Sequence, residues 1–255
     1  MNIFVFDIET IPDVETGRLL NEFEGLSDED VVTAMEHLRY QQTGNAFQPL
    51  YLQKVVAISA VFRHGDKLTV WSLGDEQADE KEIIQRFFDG IDRFTPTIVS
   101  WNGSGFDLPV LHYRAMKHNI AAPKYWDTGE MDSQFKWNNY ISRYHSRHLD
   151  LMDVIASYNP RANAPLDKIA SMLGYPGKMG MSGAKVWETY HQGNLKAIRD
   201  YCETDVLNTY LVYLRFEVMR GNLSQQDLEA EEQKLRDYLK HENQPHFNEF
   251  LEAWS

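Results

Sequence analysis

Residues 2–11, Asn2-Ile3-Phe4-Val5-Phe6-Asp7-Ile8-Glu9-Thr10-Ile11, form an apolar run that two carboxylates interrupt. Its β-branched and aromatic residues predict a strand. The apolar residues on both sides of the acids predict burial of both faces. Asp7 and Glu9 are two apart, which on a strand puts both side chains on one face. Adjacent carboxylates in a dry setting repel each other, and burying even one charge is costly unless it is paired. A bound cation would resolve that conflict; the alternative is an edge strand whose polar face lies in water.

At 255 residues, with 43% hydrophobic and 25% charged side chains, the chain has the composition of a soluble globular protein able to bury a sizeable core. The single cysteine, Cys202, excludes an internal disulfide and a cysteine-based zinc site, and fits a reducing compartment. The N-terminus lacks the basic and apolar regions of a secretory signal, and no stretch approaches the roughly 20 apolar residues of a membrane span. A cytoplasmic location is expected. The net charge of −13 argues against a protein that coats nucleic acid electrostatically. Residues 101–200, however, carry 12 basic and 9 acidic side chains, against 8 and 18 in residues 1–100. A mildly basic middle can still hold a short polyanion, better with metal present.

Ser27, acids in the following turn and Gly44 bound a predicted helix. Residues 53–62 and 67–74 predict a hairpin, and Ile83, Ile84, Phe87, Phe88 and Ile91 form a helical stripe. A short strand, TIVSW, precedes the loop NGSGFDLP and a helix from about Val110. The aromatic stretch 121–144 reads as irregular, 174–185 as a glycine-rich mobile loop, and most of the remainder as helix. The expected fold is α/β, with a mixed sheet that opens with antiparallel strands and then alternates with helices.

Two further stretches carry chemistry. SWNGSGFDLP places Asp107 after a strand end and a glycine loop, where α/β folds bind ligands. Asn102 offers a donor there, while Trp101 and Phe106 offer stacking surfaces. The alternative is a turn with Asp107 capping the next helix. In RDYCETDVLNTY, Tyr201 and Asp205 are four apart on an apolar helix and share a face; the alternative is a satisfied tyrosine–aspartate hydrogen bond in the core. Oxygen ligands without His or Cys favour Mg²⁺ or Mn²⁺.

FDIET, WNGSGFD and YCETD, in that order, resemble the three motifs of the DEDD superfamily of 3′–5′ exonucleases. The similarity is greatest to the proofreading exonuclease domains of family-B DNA polymerases and to stand-alone bacterial proteins like them. It runs from Asn2 to about Tyr213, and the Tyr-x-x-x-Asp form of the third motif marks the tyrosine branch. The resemblance implies an RNase H-like fold over residues 1–215, with 216–255 as a helical tail packing on or extending from it. It also implies two-metal hydrolysis of phosphodiester bonds at single-stranded 3′ ends, DNA before RNA, releasing nucleoside 5′-monophosphates. By that pattern Asp7 bridges two divalent ions, Glu9 and Asp205 hold the ion carrying the attacking water, and Asp107 holds the second. Tyr201 orients the nucleophile, and Thr10, Asn102 and Phe106 adjoin the terminal nucleotide.

The alternatives are an exoribonuclease with the same chemistry and a non-catalytic nucleic-acid or protein-binding module on the same scaffold. The module predicts a broken acidic set. Other residues read as structural. His145 and His148 are expected to be exposed, Asp150 and Asp153 to start a helix, and Cys202 to be an inert thiol turned away from Tyr201 and Asp205. Arg143, Arg147, Lys178 and Lys185 read as solvated surface, with phosphate contact as the alternative. The acidic tail is expected either to dock a partner or to fray in solvent.

Overall fold

The structure, a computed structural model, describes residues 2–254. The chain runs through β1 (Asn2–Pro12), α1 (Val14–Asn21), α2 (Asp28–Thr43), β2 (Gln53–His64), β3 (Lys67–Ser72), α3 (Glu80–Phe94), β4 (Thr97–Ser100) and α4 (Asp107–Lys117). It continues through α5 (Pro123–Trp126), β5 (His148–Asp150), α6 (Leu151–Ile155), α7 (Leu166–Met172), α8 (Val186–His191), α9 (Leu195–Met219), α10 (Gln225–Glu242) and α11 (Pro245–Ala253). The strands form one mixed sheet in the order β3-β2-β1-β4-β5, antiparallel from β3 to β1 and parallel from β1 to β5. Helices flank the sheet, giving the RNase H-like α/β arrangement expected from the sequence.

The central place of β1 explains its apolar composition. The period of two sends Phe4, Phe6 and Ile8 to one face, where they meet the Ile83, Ile84, Phe87, Phe88 and Ile91 stripe of α3. Ile3 and Val5 face the other way, against Val206, Tyr210 and Leu214 of α9. Asp7 and Glu9 continue this second row, so both acids look toward the helix that carries Tyr201 and Asp205. The edge-strand alternative is thereby excluded.

Local signals work as their chemistry requires. The Ser27 hydroxyl accepts the Asp30 N–H at 3.1 Å, and Gly44 closes α2 in the left-handed region at φ 73°. The helix after the glycine loop begins at Asp107, three residues before the expected start. The charged tail is packed: Leu228, Leu235, Leu239, Phe247, Phe250 and Trp254 are buried in the core that holds Val5 and Leu214. Arg63 of β2 clamps Glu231 of α10 through two hydrogen bonds of 2.7 Å. The charge of α10 masks this seam in the sequence, because so few of its residues are apolar.

A second polar tie has no local signature in the sequence. Arg114 is 2% exposed and pairs with both Asp13, just after β1, and Glu80, at the start of α3. Glu80 also accepts the Val55 N–H at 2.7 Å. Burial alone would raise the Asp13 pKa, but hydrogen bonds from Thr16, Arg114 and Lys117 hold it well below the usual range. This network fixes α4, and therefore Asp107, against the end of β1.

Candidate active site

The site forms where β1 and β4 separate. The two strands pair only from Ile3 to Val5 of β1, so the far end of β1 lacks a strand partner on that side. Ile8 N–H is satisfied instead by Asp107, whose Oδ1 accepts it at 3.2 Å. The glycine loop makes this approach possible. A Cβ on Gly103 would lie 2.2 Å from the Ser100 hydroxyl oxygen, and one on Gly105 2.5 Å from Asn102 Oδ1. Asn102 itself takes a left-handed conformation, φ 64°. Asp150, at the end of β5, accepts the N–H groups of Asn102 at 3.0 Å and Ser104 at 2.8 Å. It also caps α6, so the expected helix start doubles as the brace of the loop.

Four carboxylates converge from three elements. Glu9 and Asp107 are buried, while Asp7 and Asp205 keep part of their surface open. Burial raises the Asp7 pKa well above its ordinary value, and the charges of Asp107, Glu9 and Asp205 add to it. Glu9 is raised well above the ordinary range by burial, then by Asp205 and Asp107. Burial lifts Asp107 to about 7 against the opposing N–H bonds of Asp107 and Ile8. It lifts Asp205 to about 6, although the Tyr201 hydroxyl and the charge of Lys178 pull down. Tyr201 lies against this cluster, and burial followed by the Asp205 and Glu9 charges pushes its phenol further above 10. Among the described residues none of the four acids is ion-paired.

One ligand atom each from Asp7, Glu9 and Cys202 lies within 4.8 Å of the others, with Asp107 and Asp205 around them. Cys202 is buried as expected, but it does not point away from the site. Its thiol faces the Asp7 carbonyl at 3.4 Å and the Asp7 carboxylate at 3.7 Å. Burial and the Asp7 charge raise the thiol's pKa, so it serves as a neutral donor. The four acids offer a cation an all-oxygen donor set and have no ion-pair partner among the described residues, which fits a hard divalent ion.

Thr10, Asn102 and Phe106 line one groove of about 740 Å³ beside Glu9. The Thr10 hydroxyl donates to Gln53 at 2.9 Å, and Phe106 meets Phe47 at a ring separation of 5.9 Å. Phe47 and Trp187 also line this groove. Neither stands out in the sequence, because nothing local distinguishes them from ordinary surface aromatics. Lys178 is close enough to act on Asp205. His148 departs from expectation: it is largely enclosed, bonded to the Ser100 hydroxyl at 2.9 Å, and burial lowers its pKa to about 4.

Comparison with known proteins identifies the family. Residues 45–254 match the family described as a predicted 3′–5′ exonuclease related to the exonuclease domain of PolB. The match contains Asn102, Phe106, Asp107, Tyr201 and Asp205; Asp7, Glu9 and Thr10 precede it, and the fold brings them to the others. A DNA polymerase of Archaeoglobus fulgidus is 28% identical over 149 residues, 57% of this chain and 19% of the polymerase. A DNA polymerase of Pyrococcus glycovorans is 27% identical over 178 residues, 67% of this chain and 23% of the polymerase. The catalytic polypeptide of DNA polymerase epsilon from Saccharomyces cerevisiae is 26% identical over 144 residues, 54% of this chain and 6% of that polypeptide. The similarity thus spans less than a quarter of each of these polymerases. The family match covers most of this chain, and the chain belongs to the family of predicted 3′–5′ exonucleases related to the exonuclease domain of PolB.

Proposed function

We propose that this chain is a metal-dependent 3′–5′ exonuclease of the tyrosine branch. It removes nucleoside 5′-monophosphates from the 3′ end of single-stranded nucleic acid, with DNA as the favoured substrate. One observation carries the reading: four carboxylates from β1, α4 and α9, none ion-paired among the described residues, cluster beside Tyr201 within reach of one another's charge, in a chain of an exonuclease family.

Asp7, Glu9, Asp107 and Asp205 would hold two Mg²⁺ or Mn²⁺ ions, which when bound neutralise the phosphodiester charge and acidify the attacking water. The protein's own part is to place the reacting groups. Tyr201 stays a neutral phenol, so it orients the water by hydrogen bonding and does not act as a strong base. Thr10 and Asn102 face the terminal sugar and phosphate, and Phe106 offers a ring to the terminal base. Cys202 and the Ile8 N–H fix the carboxylates of Asp7 and Asp107, so little reorganisation is needed when substrate arrives.

The test is degradation of 3′- and 5′-labelled single-stranded DNA and RNA with Mn²⁺, run beside Asp7→Asn. Stepwise shortening from the 3′ end, lost in the variant, is expected. Shortening of RNA alone would reassign the substrate. Binding of either polymer without hydrolysis, at saturating metal, would favour the non-catalytic module.

A further inference from the structure

We infer that Trp137, Tyr144 and Arg143 form a docking surface for the single strand behind the scissile bond, an inference that rests on the exonuclease reading. Residues 133–149, SQFKWNNYISRYHSRHL, carry Lys136, Arg143 and Arg147 and no acid, in a chain of net charge −13. Most of this segment lacks regular structure, yet it is pinned from beneath. The Tyr140 hydroxyl donates to Pro96 O at 2.7 Å, its ring stacks on Tyr125 at 5.6 Å, and Arg147 lies 4.2 Å over the Phe135 ring. Asn138 Oδ1 accepts the N–H groups of Ser146 at 3.0 Å and Arg147 at 3.1 Å.

Above these anchors Trp137 is 77% and Tyr144 83% exposed, so neither ring serves the core. Both line a groove of about 490 Å³ with Arg143 and Tyr158. Arg143 lies 4.5 Å over the Tyr158 ring and Lys136 5.4 Å over Trp137, and neither cation is ion-paired among the described residues. A second groove, of about 560 Å³, shares Ser104, Arg143, His148 and Asp153 with the first and reaches Asn102 and Gly105. Those two residues also line the groove beside Glu9. The surface is therefore continuous from the carboxylates to the exposed rings. Asp150 and Asp153 line the first groove too; Asp150 is engaged by the Asn102 and Ser104 N–H groups, and Asp153 lies within reach of the Arg143 charge. Exposed aromatic faces beside unpaired cations fit unpaired bases on a phosphate backbone. A duplex hides its base faces, so the occupant is a single strand.

The experiment compares the parent with Trp137→Ala/Tyr144→Ala, positions too exposed for folding to depend on them. A labelled 12-nucleotide DNA is titrated in Ca²⁺ by fluorescence anisotropy, in an Asp7→Asn background so that nothing is cleaved. Separately, a dinucleotide and the 12-mer are hydrolysed in Mn²⁺ with Asp7 intact. Expected is a loss of 12-mer affinity of about 10-fold per ring removed. A matching rise in KM at unchanged kcat should follow, with dinucleotide hydrolysis unaltered and Trp137→Phe close to the parent. Equal binding of the 12-mer by parent and variant, or an equal loss on both substrates, would overturn the inference. If the parent hydrolyses nothing, the exonuclease reading fails by itself. The anisotropy titration then still decides the surface, supporting it if the variant binds more weakly and overturning it if the parent does not bind.

Discussion

The Asp107 carboxylate accepts the backbone N–H of Ile8 at 3.2 Å across 99 residues of chain. This bond joins the second acidic motif to the first, and it separates two functions of one side chain. Asp107→Asn keeps an oxygen acceptor for Ile8 but loses the charge, whereas Asp107→Ala loses both. We expect turnover to fall in each variant by on the order of 10²–10³-fold. Only the alanine variant should also lose about 1–3 kcal/mol in urea unfolding of the metal-free protein, because it leaves a buried N–H unsatisfied. Equal midpoints for the two variants would show that the bond contributes nothing to the fold.

Tyr201→Phe should lower kcat by about 10- to 100-fold with little change in Mn²⁺ affinity by calorimetry. The phenol's raised pKa predicts that the pH–rate profile keeps its shape in the variant. A lost basic limb would identify the tyrosine as a titrating base.

Burial and repulsion hold the site's carboxyls above their unfolded values, Asp107 at about 7 and Asp205 at about 6. A group with a raised folded pKa stabilises the protein in its protonated form. Its contribution is complete below the unfolded value of about 4 and is lost as pH rises through 6 to 7. In chelator, the melting temperature should therefore fall between pH 5 and pH 8, by on the order of 5 °C. Mn²⁺ should restore it more at pH 8 than at pH 5. A chelated protein whose melting temperature rises over that range would contradict the assignment.

Arg114 is buried between Asp13 and Glu80. Arg114→Ala removes the buried partner that Asp13 and Glu80 share, leaving Asp13 to Thr16 and Lys117 and Glu80 to His118, and should cost about 3–5 kcal/mol of unfolding free energy. Arg86 pairs with Glu82 on the exposed face of α3, and Arg86→Ala should cost no more than about 0.5 kcal/mol. Chemical denaturation of the two variants measures the contrast directly.

Asp150 braces the Asn102 and Ser104 N–H groups and touches neither Asp7 nor Glu9. Asp150→Ala should free the loop, raising KM for a short substrate and lowering kcat together, by about 10-fold or more. Mn²⁺ affinity should change less than in Asp107→Asn. Unchanged kinetics would make the brace purely structural.

The β1 strand, the hairpin, the α2 caps, the α3 stripe and the acidic motifs were legible because each depends on neighbours a few residues apart, whereas the short helices α1 and α5 fall in stretches that read as a polar excursion and as irregular. Ser27 and Gly44 bound α2 through local hydrogen bonding and backbone geometry, and the period of two put Asp7 and Glu9 on one face. Features built from distant residues were not legible. The burial of α10 rests on three leucines among charged neighbours, and the enclosure of His148 on its position at the end of the sheet beside Ser100.

The sequence by itself determined which chemistry this chain can support: carboxylates at strand and helix spacings, without a cysteine pair, offer hard oxygen ligands. Tertiary structure alone decided that they meet. Local spacing cannot encode the parting of β1 from β4 beyond Val5, the Arg114 network that holds α4 in place, or the turn of Cys202 toward Asp7. These follow from how the sheet's two faces are filled, and they bring four scattered acids into one cluster of like charge that suits a cation.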